Sequence, residues 1–180
     1  MHPSAKSSSS KQSDLTQLAA DIVTYAKKQG ASASACDVSE GLGKTISVRH
    51  GAVETIEYNR DKGLSVTVFL GQKRGNASTS DFSVRAVRDT VDAALNIARY
   101  TAIDDCAGLP EQEMLATEFP DLDLYYPWLL DVDGAIALAN RCEQAAFATD
   151  KRIKNSEGAS VSVHESQFVY ANSLGFVGGY

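Results

Sequence analysis

Cysteine is scarce in this chain, and its spacing excludes the common metal and redox motifs. The 180 residues contain three cysteines, Cys36, Cys106 and Cys142, with no CxxC pair and no Cys/His cluster. Zinc ribbons and CxxC redox centres need such close pairs, so neither kind of site is predicted. Unpaired cysteines are typical of a reducing cytosol, so a cytoplasmic protein is expected. Cys142 lies among alanines, and we predict a small buried thiol there.

The chain also lacks an excess of positive charge and a long apolar run. Its net charge is -6, and because nucleic-acid-binding surfaces need clustered Lys and Arg, direct nucleic-acid binding is not predicted. No apolar run approaches the ~20 residues that span a bilayer, so no membrane partner is predicted. Residues 1–13 form a Ser-rich leader without an apolar core. This leader is predicted to be disordered rather than a signal peptide.

Three segments have the apolar periodicity of amphipathic helices. They run from about Asp14 to Gln29, from Asp81 to Thr101 and from Asp133 to Thr149. Asp14 is predicted to cap the first helix, with Gln17 completing a capping box. Gly30 is placed to end that helix in the left-handed conformation. Either Asp81 or Ser83 could cap the second helix.

Short alternating segments predict an antiparallel β-meander. Residues Lys44–Ser80 have the pattern of four short strands, separated at Gly51, at Asn59–Gly63 and at Gly71. An earlier strand is predicted at Ala35–Ser39, where Gly41 and Gly43 would interrupt it. A hairpin is predicted near the carboxyl end, with Val161–Val163 and Phe168–Tyr170 joined through His164-Glu165-Ser166.

These elements predict an α+β fold in which amphipathic helices cover an antiparallel meander and a second β-rich region begins at the carboxyl end. We expect a leader at 1–13 and an amino-terminal α/β domain at 14–130 that includes a long ordered excursion at 103–130. Residues 131–180 would form a helix plus hairpin that either continues this domain or opens a β-rich one. Because the new strands would lack partners for their edge, we expect the front part of a longer protein.

His164-Glu165 resembles half of a metalloprotease motif. Zinc binding in such motifs needs a second His about one turn later on the same helical face. Here no second His follows, and the segment lies in a predicted hairpin, so metal binding is not predicted. His50 precedes Gly51 at a turn and His2 lies in the leader. Neither has a sequence partner that would make it a general base.

Three further segments carry chemical side chains with simpler structural explanations. Ser78-Thr79-Ser80-Asp81 lacks a GxSxG elbow and is better explained by a strand end and a helix cap. Gly41–Thr45 resembles part of a phosphate loop, but Val38 stands where the first glycine is needed. Asp104 and Asp105 lack the spacing of a calcium loop. We therefore predict no catalytic and no metal-binding residue, and substrate-binding residues stay unknown.

Many segments distributed along the chain resemble the amino-terminal region of the PmbA/TldD family, the modulators of DNA gyrase. The similarity extends from about Asp14 to Tyr180. The segments that carry it include Ser47–Arg60, Gly75–Asp81, Ala98–Thr101, Asp104–Leu109, Asp121–Tyr125, Pro127-Trp128, Arg141–Ala146, Asn155–Ala159 and Asn172–Phe176. Their order and spacing look more like the PmbA branch, also called TldE, than the TldD branch.

The resemblance implies an amino-terminal α/β domain followed by a larger β-rich domain in a cytosolic protein that pairs with a TldD-type subunit. Such pairs degrade or trim unstructured peptides, including precursors of peptide antibiotics and antitoxins. The resemblance places the zinc in an HExxxH motif of the TldD-type partner, so none of its ligands falls on this chain. The expected role is a non-catalytic scaffold and substrate-chamber element. The alternative is a non-enzymatic interaction module that binds DNA gyrase or toxin–antitoxin proteins.

Overall fold

The structure, a computed structural model, describes residues 5–118, 120 and 122–180, with side chains from Gln12 onward. Its helices and strands are α1 (Ala5–Lys28), β1 (Ala33–Arg49), β2 (Ala52–Leu70), β3 (Lys73–Thr79), α2 (Val84–Tyr100), α3 (Val132–Thr149), β4 (Ala159–Asn172) and β5 (Val177–Gly179). The strands form one five-stranded antiparallel sheet in the order β3-β2-β1-β4-β5. The predicted α+β class is confirmed.

Contacts divide the chain into two compact units. Unit 1 comprises Met1–Glu40, Asp61–Leu124 and Gln167–Tyr180, and unit 2 comprises Gly41–Arg60 and Tyr125–Ser166. Unit 1 contains the main apolar core, in which α1 and α2 bury one stripe each against the sheet. Its fully buried side chains include Ile22, Val38, Leu64, Val66, Val68, Val91 and Val169. The apolar alternation predicted within Lys44–Ser80 is therefore confirmed at Leu64, Val66 and Val68.

Helix α1 begins earlier than its sequence pattern predicts. It starts at Ala5, so the predicted boundary at Asp14 is wrong and residues 5–13 belong to the helix. No Pro or Gly interrupts residues 5–28, so the backbone can continue the helix through the Ser-rich segment. Gln17 forms no capping box, since its side-chain amide donates to Asp21 Oδ1 at 2.9 Å. The predicted end is confirmed, because Gly30 adopts a φ of 97°.

Helix α2 approaches β3 closely enough that only glycine fits between them. Its N-cap is Ser83, whose hydroxyl accepts from the Ala86 N–H at 3.4 Å, as one of the two predicted caps. Asp81 instead accepts from the Ser83 N–H at 2.8 Å. A Cβ at Gly75 on β3 would overlap the carbonyl oxygen of Ala94 on α2. The helix therefore packs with its backbone almost against the strand.

The first two strands are longer than the sequence suggests. The predicted breaks at Gly41 and Gly43 are wrong, since β1 runs from Ala33 to Arg49 without interruption. The predicted turn at Asn59–Gly63 is also wrong, since β2 continues through it from Ala52 to Leu70. Polar, glycine-containing residues remain extended there because a neighbouring strand pairs with them, which local propensity does not register. The turns predicted at Gly51 and Gly71 are confirmed by φ angles of 77° and 61°.

Strand β4 replaces the predicted carboxyl-terminal hairpin. It extends from Ala159 to Asn172, so His164-Glu165-Ser166 lies within a strand and the predicted turn is wrong. Gly43 on β1 faces this segment, and a Cβ there would come within 2.5 Å of the His164 ring. The small residue gives the imidazole room beside the neighbouring strand. The strand that follows, β5, pairs antiparallel with β4, with Tyr170 opposite Gly178.

The excursion predicted at 103–130 has little regular structure. Among its described residues it contains one short 3₁₀ turn at Gln112–Met114. Phe119, which belongs to this excursion, lies outside the described residues. The backbone N–H of Asp104 donates to the Gln72 carbonyl at 3.0 Å, which ties the start of the excursion to the β2–β3 turn. No helix in the described part of the chain is both long and apolar enough to cross a membrane.

Candidate functional site

Unit 2 contains an open cavity of about 550 Å³. This volume is within the range of small-molecule sites. Three strands and the segment that leads into α3 supply its walls. The lining residues are Leu42, Gly43, Lys44, Tyr58, Asn59, Arg60, Trp128, Leu129, Leu130, Asp131, Val163 and Glu165. All of them belong to unit 2.

The segment before α3 is held in place by two polar contacts at the cavity. The Lys44 ammonium group on β1 donates to the carbonyl oxygen of Leu130. Asp131 is the N-cap of α3, and its Oδ1 accepts from the Gly134 N–H at 2.7 Å. Its negative charge also lies at the positive end of the helix dipole. These contacts fix the backbone that carries Trp128 and Leu129.

The cavity presents large apolar side chains to solvent. Tyr58 is 68% exposed, Trp128 is 53% exposed and Leu129 is 79% exposed. Aromatic side chains with an open face bind apolar groups and cations. The lining residues include no Ser, Thr, Cys or His, so a nucleophile–base pair is missing from this described set. The exposed aromatic and apolar surface is suited to binding an apolar group.

A buried carboxylate holds the β1–β2 turn in unit 2. Glu143 on α3 is 3% exposed, and its two carboxylate oxygens accept the N–H groups of His50 and Gly51, each at 2.9 Å. Both turn residues have positive φ, 50° and 77°, as a two-residue hairpin turn requires. Hydrogen bonds lower the pKa of Glu143 from its ordinary value, and the bond from Gly51 has the largest effect, followed by those from His50 and Ser156. Burial of the carboxylate opposes this shift.

The histidines are placed in structural contacts. His50 Nε2 lies 2.9 Å from Asn155 Oδ1, and its ring stacks at 5.7 Å on Phe147. His164 lies on β4 beside Gly43, and its neighbour Glu165 lines the cavity. The two adjacent residues therefore have different surroundings, since Glu165 lines the cavity and the His164 ring lies beside Gly43. His2 lies outside the described residues.

The other candidate segments form turns, caps and strands. Asp81 accepts from Ser83 at the start of α2, and its own N–H donates to Thr79 Oγ1 at 3.1 Å. Gly41–Thr45 is part of β1 and is not a phosphate loop. Asp104 Oδ1 accepts from the Cys106 N–H at 3.0 Å, as in an Asx turn. These structural contacts account for the presence of the polar side chains in these segments, and no catalytic role is needed to explain them.

The donor set of the described residues does not fit a zinc site. A zinc centre needs three or four His, Cys, Asp or Glu ligands that converge on one point. No group of three such side chains within the described ranges 5–118, 120 and 122–180 could hold a metal ion. A zinc centre in an assembly that contains this chain would therefore need ligands from outside these ranges.

The buried face of α3 in unit 2 differs from its sequence prediction. The predicted apolar face of α3 included Cys142, but Cys142 is exposed and the prediction of a buried thiol is wrong. The helix instead buries Ala135, Ala139 and Glu143, spaced four residues apart. A carboxylate at the third position of a buried stripe is the signal that could have indicated a contact with backbone N–H groups.

Two models of consecutive domains from one protein family match the chain. PmbA/TldA metallopeptidase domain 1 matches residues 36–98, and the PmbA/TldA metallopeptidase central domain matches residues 125–180. A curated relative from Haemophilus influenzae, the metalloprotease PmbA homolog, is 44% identical over 167 residues, 93% of this chain and 37% of its own. Metalloprotease PmbA from Escherichia coli O157:H7 is 48% identical over 143 residues, 79% of this chain and 32% of its own. The chain thus spans about a third of the length of these relatives.

Solved structures share the fold at low sequence identity. A protein from Bacteroides thetaiotaomicron described as a modulator of DNA gyrase superposes with a TM-score of 0.81 at 23% identity, over 91% of this chain and 38% of its own. TldE from Thermococcus kodakarensis superposes with a TM-score of 0.71 at 14% identity, over 91% of this chain and 36% of its own. At these identities the likeness concerns the fold alone.

Proposed function

The chain belongs to the PmbA/TldD metallopeptidase family, and on that premise we propose that it is the amino-terminal part of a PmbA/TldE-type subunit of a two-component zinc metallopeptidase. The single observation that carries the proposal is the match of two successive family domains along the chain. The PmbA names of both curated relatives favour this branch over the TldD branch. Such an assembly would process or degrade unstructured peptides in the cytoplasm.

In this proposal the chain is a scaffold and contributes a wall of the substrate chamber. The donor set of the described residues does not fit zinc, so the metal would be held by a TldD-type partner. The open cavity of unit 2, with its exposed Tyr58 and Trp128, supports a binding role. An unstructured peptide suits such a surface because it can present apolar side chains without first unfolding.

The proposal is tested by reconstitution with a TldD-type protein. The purified chain, the purified partner and their mixture are each given an unstructured peptide, and cleavage is followed by mass spectrometry. Zinc in each sample is measured by elemental analysis. We expect zinc in the partner and in the mixture, and no cleavage by the chain alone. Zinc-dependent cleavage by the isolated chain would refute the non-catalytic role.

A second candidate is a non-enzymatic interaction module. The observation that favours it is the description of a structural relative as a modulator of DNA gyrase. This module would bind gyrase or toxin–antitoxin proteins without proteolysis. Affinity capture separates the two candidates. Recovery of a TldD-type protein supports the peptidase subunit, whereas recovery of gyrase without that protein supports the module.

A further inference from the structure

We propose that the outer edge of β2 in unit 2, defined as residues Ala52–Tyr58, binds an unstructured basic peptide as an added antiparallel strand. The peptide as ligand class rests on the proposed function. The site, the mode of binding and the preference for basic side chains rest on the structure and the charges of this edge.

Strand β2 has a neighbouring strand on both sides along only part of its length. It lies between β1 and β3 in the sheet. The short β3 pairs with Leu64–Leu70 of β2, so its register ends well before the outer edge. In the part of the chain that the structure describes, no turn or loop donates or accepts a backbone hydrogen bond at Ala52–Tyr58. Every residue of this span is exposed.

The outer edge therefore offers main-chain groups to a further strand. The hydroxyl groups of Ser47 and Thr55 are hydrogen-bonded, which places β1 along the inner side of this span. In an antiparallel pair, alternate residues direct both N–H and C=O toward the partner strand, and the residues between them direct theirs away. Such outward groups pair readily with another extended chain. An unstructured peptide meets this requirement because main-chain pairing tolerates many sequences.

Apolar side chains along the same edge favour a strand as the occupant. Val53 is 45% exposed, Ile56 is 46% exposed and Tyr58 is 68% exposed. β-branched and aromatic side chains stabilise a sheet by packing against similar side chains on the adjacent strand. A strand added beside β2 would supply those partners and cover part of this apolar surface.

The charges of the outer edge select a basic strand. Glu54 and Glu57 are its charged residues, and both are exposed. Neither carboxylate has an ion-pair partner among the residues that the structure describes. Opposite charges on facing positions of adjacent strands are stabilising, whereas like charges are destabilising. A peptide with Lys or Arg opposite the two glutamates therefore complements this edge.

The same charges disfavour a second copy of the outer edge as the occupant. Pairing two copies would bring together two carboxylates from each strand, and Ala52–Tyr58 contains no Lys, Arg or His to neutralise them. Charged side chains on an exposed edge are a common means of preventing association between identical strands. A basic peptide does not meet this repulsion.

The spacing of the two glutamates defines a probe. Glu54 and Glu57 are three residues apart, so their side chains lie on opposite faces of β2. A matching strand carries two lysines with the same spacing. The probe is Val-Lys-Val-Thr-Lys-Ile-Thr with an amidated carboxyl end and a dye on its amino end, called the Lys peptide. The Glu peptide has glutamate at both lysine positions. Each is titrated with the complete 180-residue chain, and fluorescence anisotropy reports binding.

The Lys peptide should bind more tightly than the Glu peptide. An exposed ion pair changes Kd by up to about fivefold, so two pairs should separate the peptides by about five- to twentyfold. The double variant Glu54→Lys/Glu57→Lys should reverse this order. Glu111→Lys/Glu113→Lys is the matched control, because it makes the same change in net charge at exposed residues outside the outer edge. The control should keep the order of the parent chain.

Main-chain pairing is tested with two N-methylated forms of the Lys peptide. One form carries methyl groups on the backbone nitrogens of its odd-numbered residues, and the other carries them on the even-numbered ones. A strand at an edge donates from one alternate set of N–H groups to its neighbour. One form should therefore lose more than about tenfold in affinity, since several hydrogen bonds are removed together. The other form should bind nearly as tightly as the Lys peptide.

Several results would overturn the proposal. They are no saturable binding, equal affinity for the Lys and Glu peptides, an order that Glu54→Lys/Glu57→Lys leaves unchanged or that the control also reverses, and equal effects of the two methylation patterns. A dimer of the chain that the Lys peptide dissociates in sedimentation would assign the edge to a second copy instead.

The peptide comparisons on the unaltered chain stand even if a variant fails to fold. Because binding is measured without zinc or a partner subunit, a negative result here leaves the reconstitution assay unaffected. A failed reconstitution would likewise leave this measurement valid.

Discussion

Gly75 is a position in unit 1 at which one added methyl group should clearly lower stability. It is buried on β3, where α2 crosses so closely that a Cβ would overlap the Ala94 carbonyl oxygen and approach the Ala98 N–H to 2.6 Å. The obstructing atoms are helix backbone, which cannot turn aside as a flexible side chain can. Gly75→Ala therefore forces α2 away from the sheet and opens the contacts of the two alanines, which are fully buried.

The magnitude follows from two opposing effects. Overpacking a core costs about 1–3 kcal/mol, and a rigid obstacle places this site toward the upper end. Replacing Gly by Ala also restricts the unfolded chain, which returns about 0.4–1 kcal/mol. The net loss should be about 2 kcal/mol. For a domain of this size each kcal/mol lowers Tm by about 2–4 °C, so Tm should fall by about 4–8 °C.

Gly108→Ala is the matched control, because nothing lies within 4 Å of its added Cβ. Thermal unfolding of both variants and the parent chain is followed by far-ultraviolet circular dichroism. The control should leave Tm unchanged or raise it by up to about 4 °C, because Ala restricts the unfolded chain without a clash. If Gly75→Ala is as stable as the control, α2 does not lie against β3 in solution.

Three further predictions concern separate contacts. Glu143→Gln should lower Tm at neutral pH. Because the pKa of Glu143 is lowered, the stability that its carboxylate contributes is present above the ordinary value of 4.5 and is lost as pH falls through the lowered pKa. A difference in Tm between parent and variant that does not shrink in acid would contradict the assignment. Cys36 is buried, and burial together with the charge of Asp37 raises the pKa of its thiol to about 12. A thiol reagent at pH 8 should therefore quickly modify only Cys106 and Cys142. Three fast-reacting thiols would contradict the burial of Cys36. Ser83→Ala should cost about 1 kcal/mol in urea unfolding through loss of the α2 cap, and no change would mean that the cap is made by another group.

The helices could be predicted from the sequence because their signals are local. The apolar stripe of α1, its end at Gly30 and the start of α2 at Ser83 depend on residues within a few positions of each other. The distributed family resemblance was also available from the sequence, and the domain matches confirm it. The start of α1 was missed because serine has no strong preference between helix and coil.

The strands and the cavity depended on distant parts of the chain. Asn59–Gly63 and His164–Ser166 have local turn character, yet pairing between strands keeps both segments extended. Glu143 is buried because the β1–β2 turn offers it two N–H groups from more than 90 positions away. The cavity joins β1 and β2 with β4 and the segment before α3, and no short motif encodes that meeting.

The order of residues by itself determined where helices can form and which family the chain belongs to, because periodicity, caps and aligned segments are properties of the linear chain. Only the tertiary structure decided which glycines stay within strands, which carboxylate is buried and which residues meet at the cavity. The physical reason is that backbone pairing and burial act between residues distant in sequence, and their combined free energy exceeds the small local preferences.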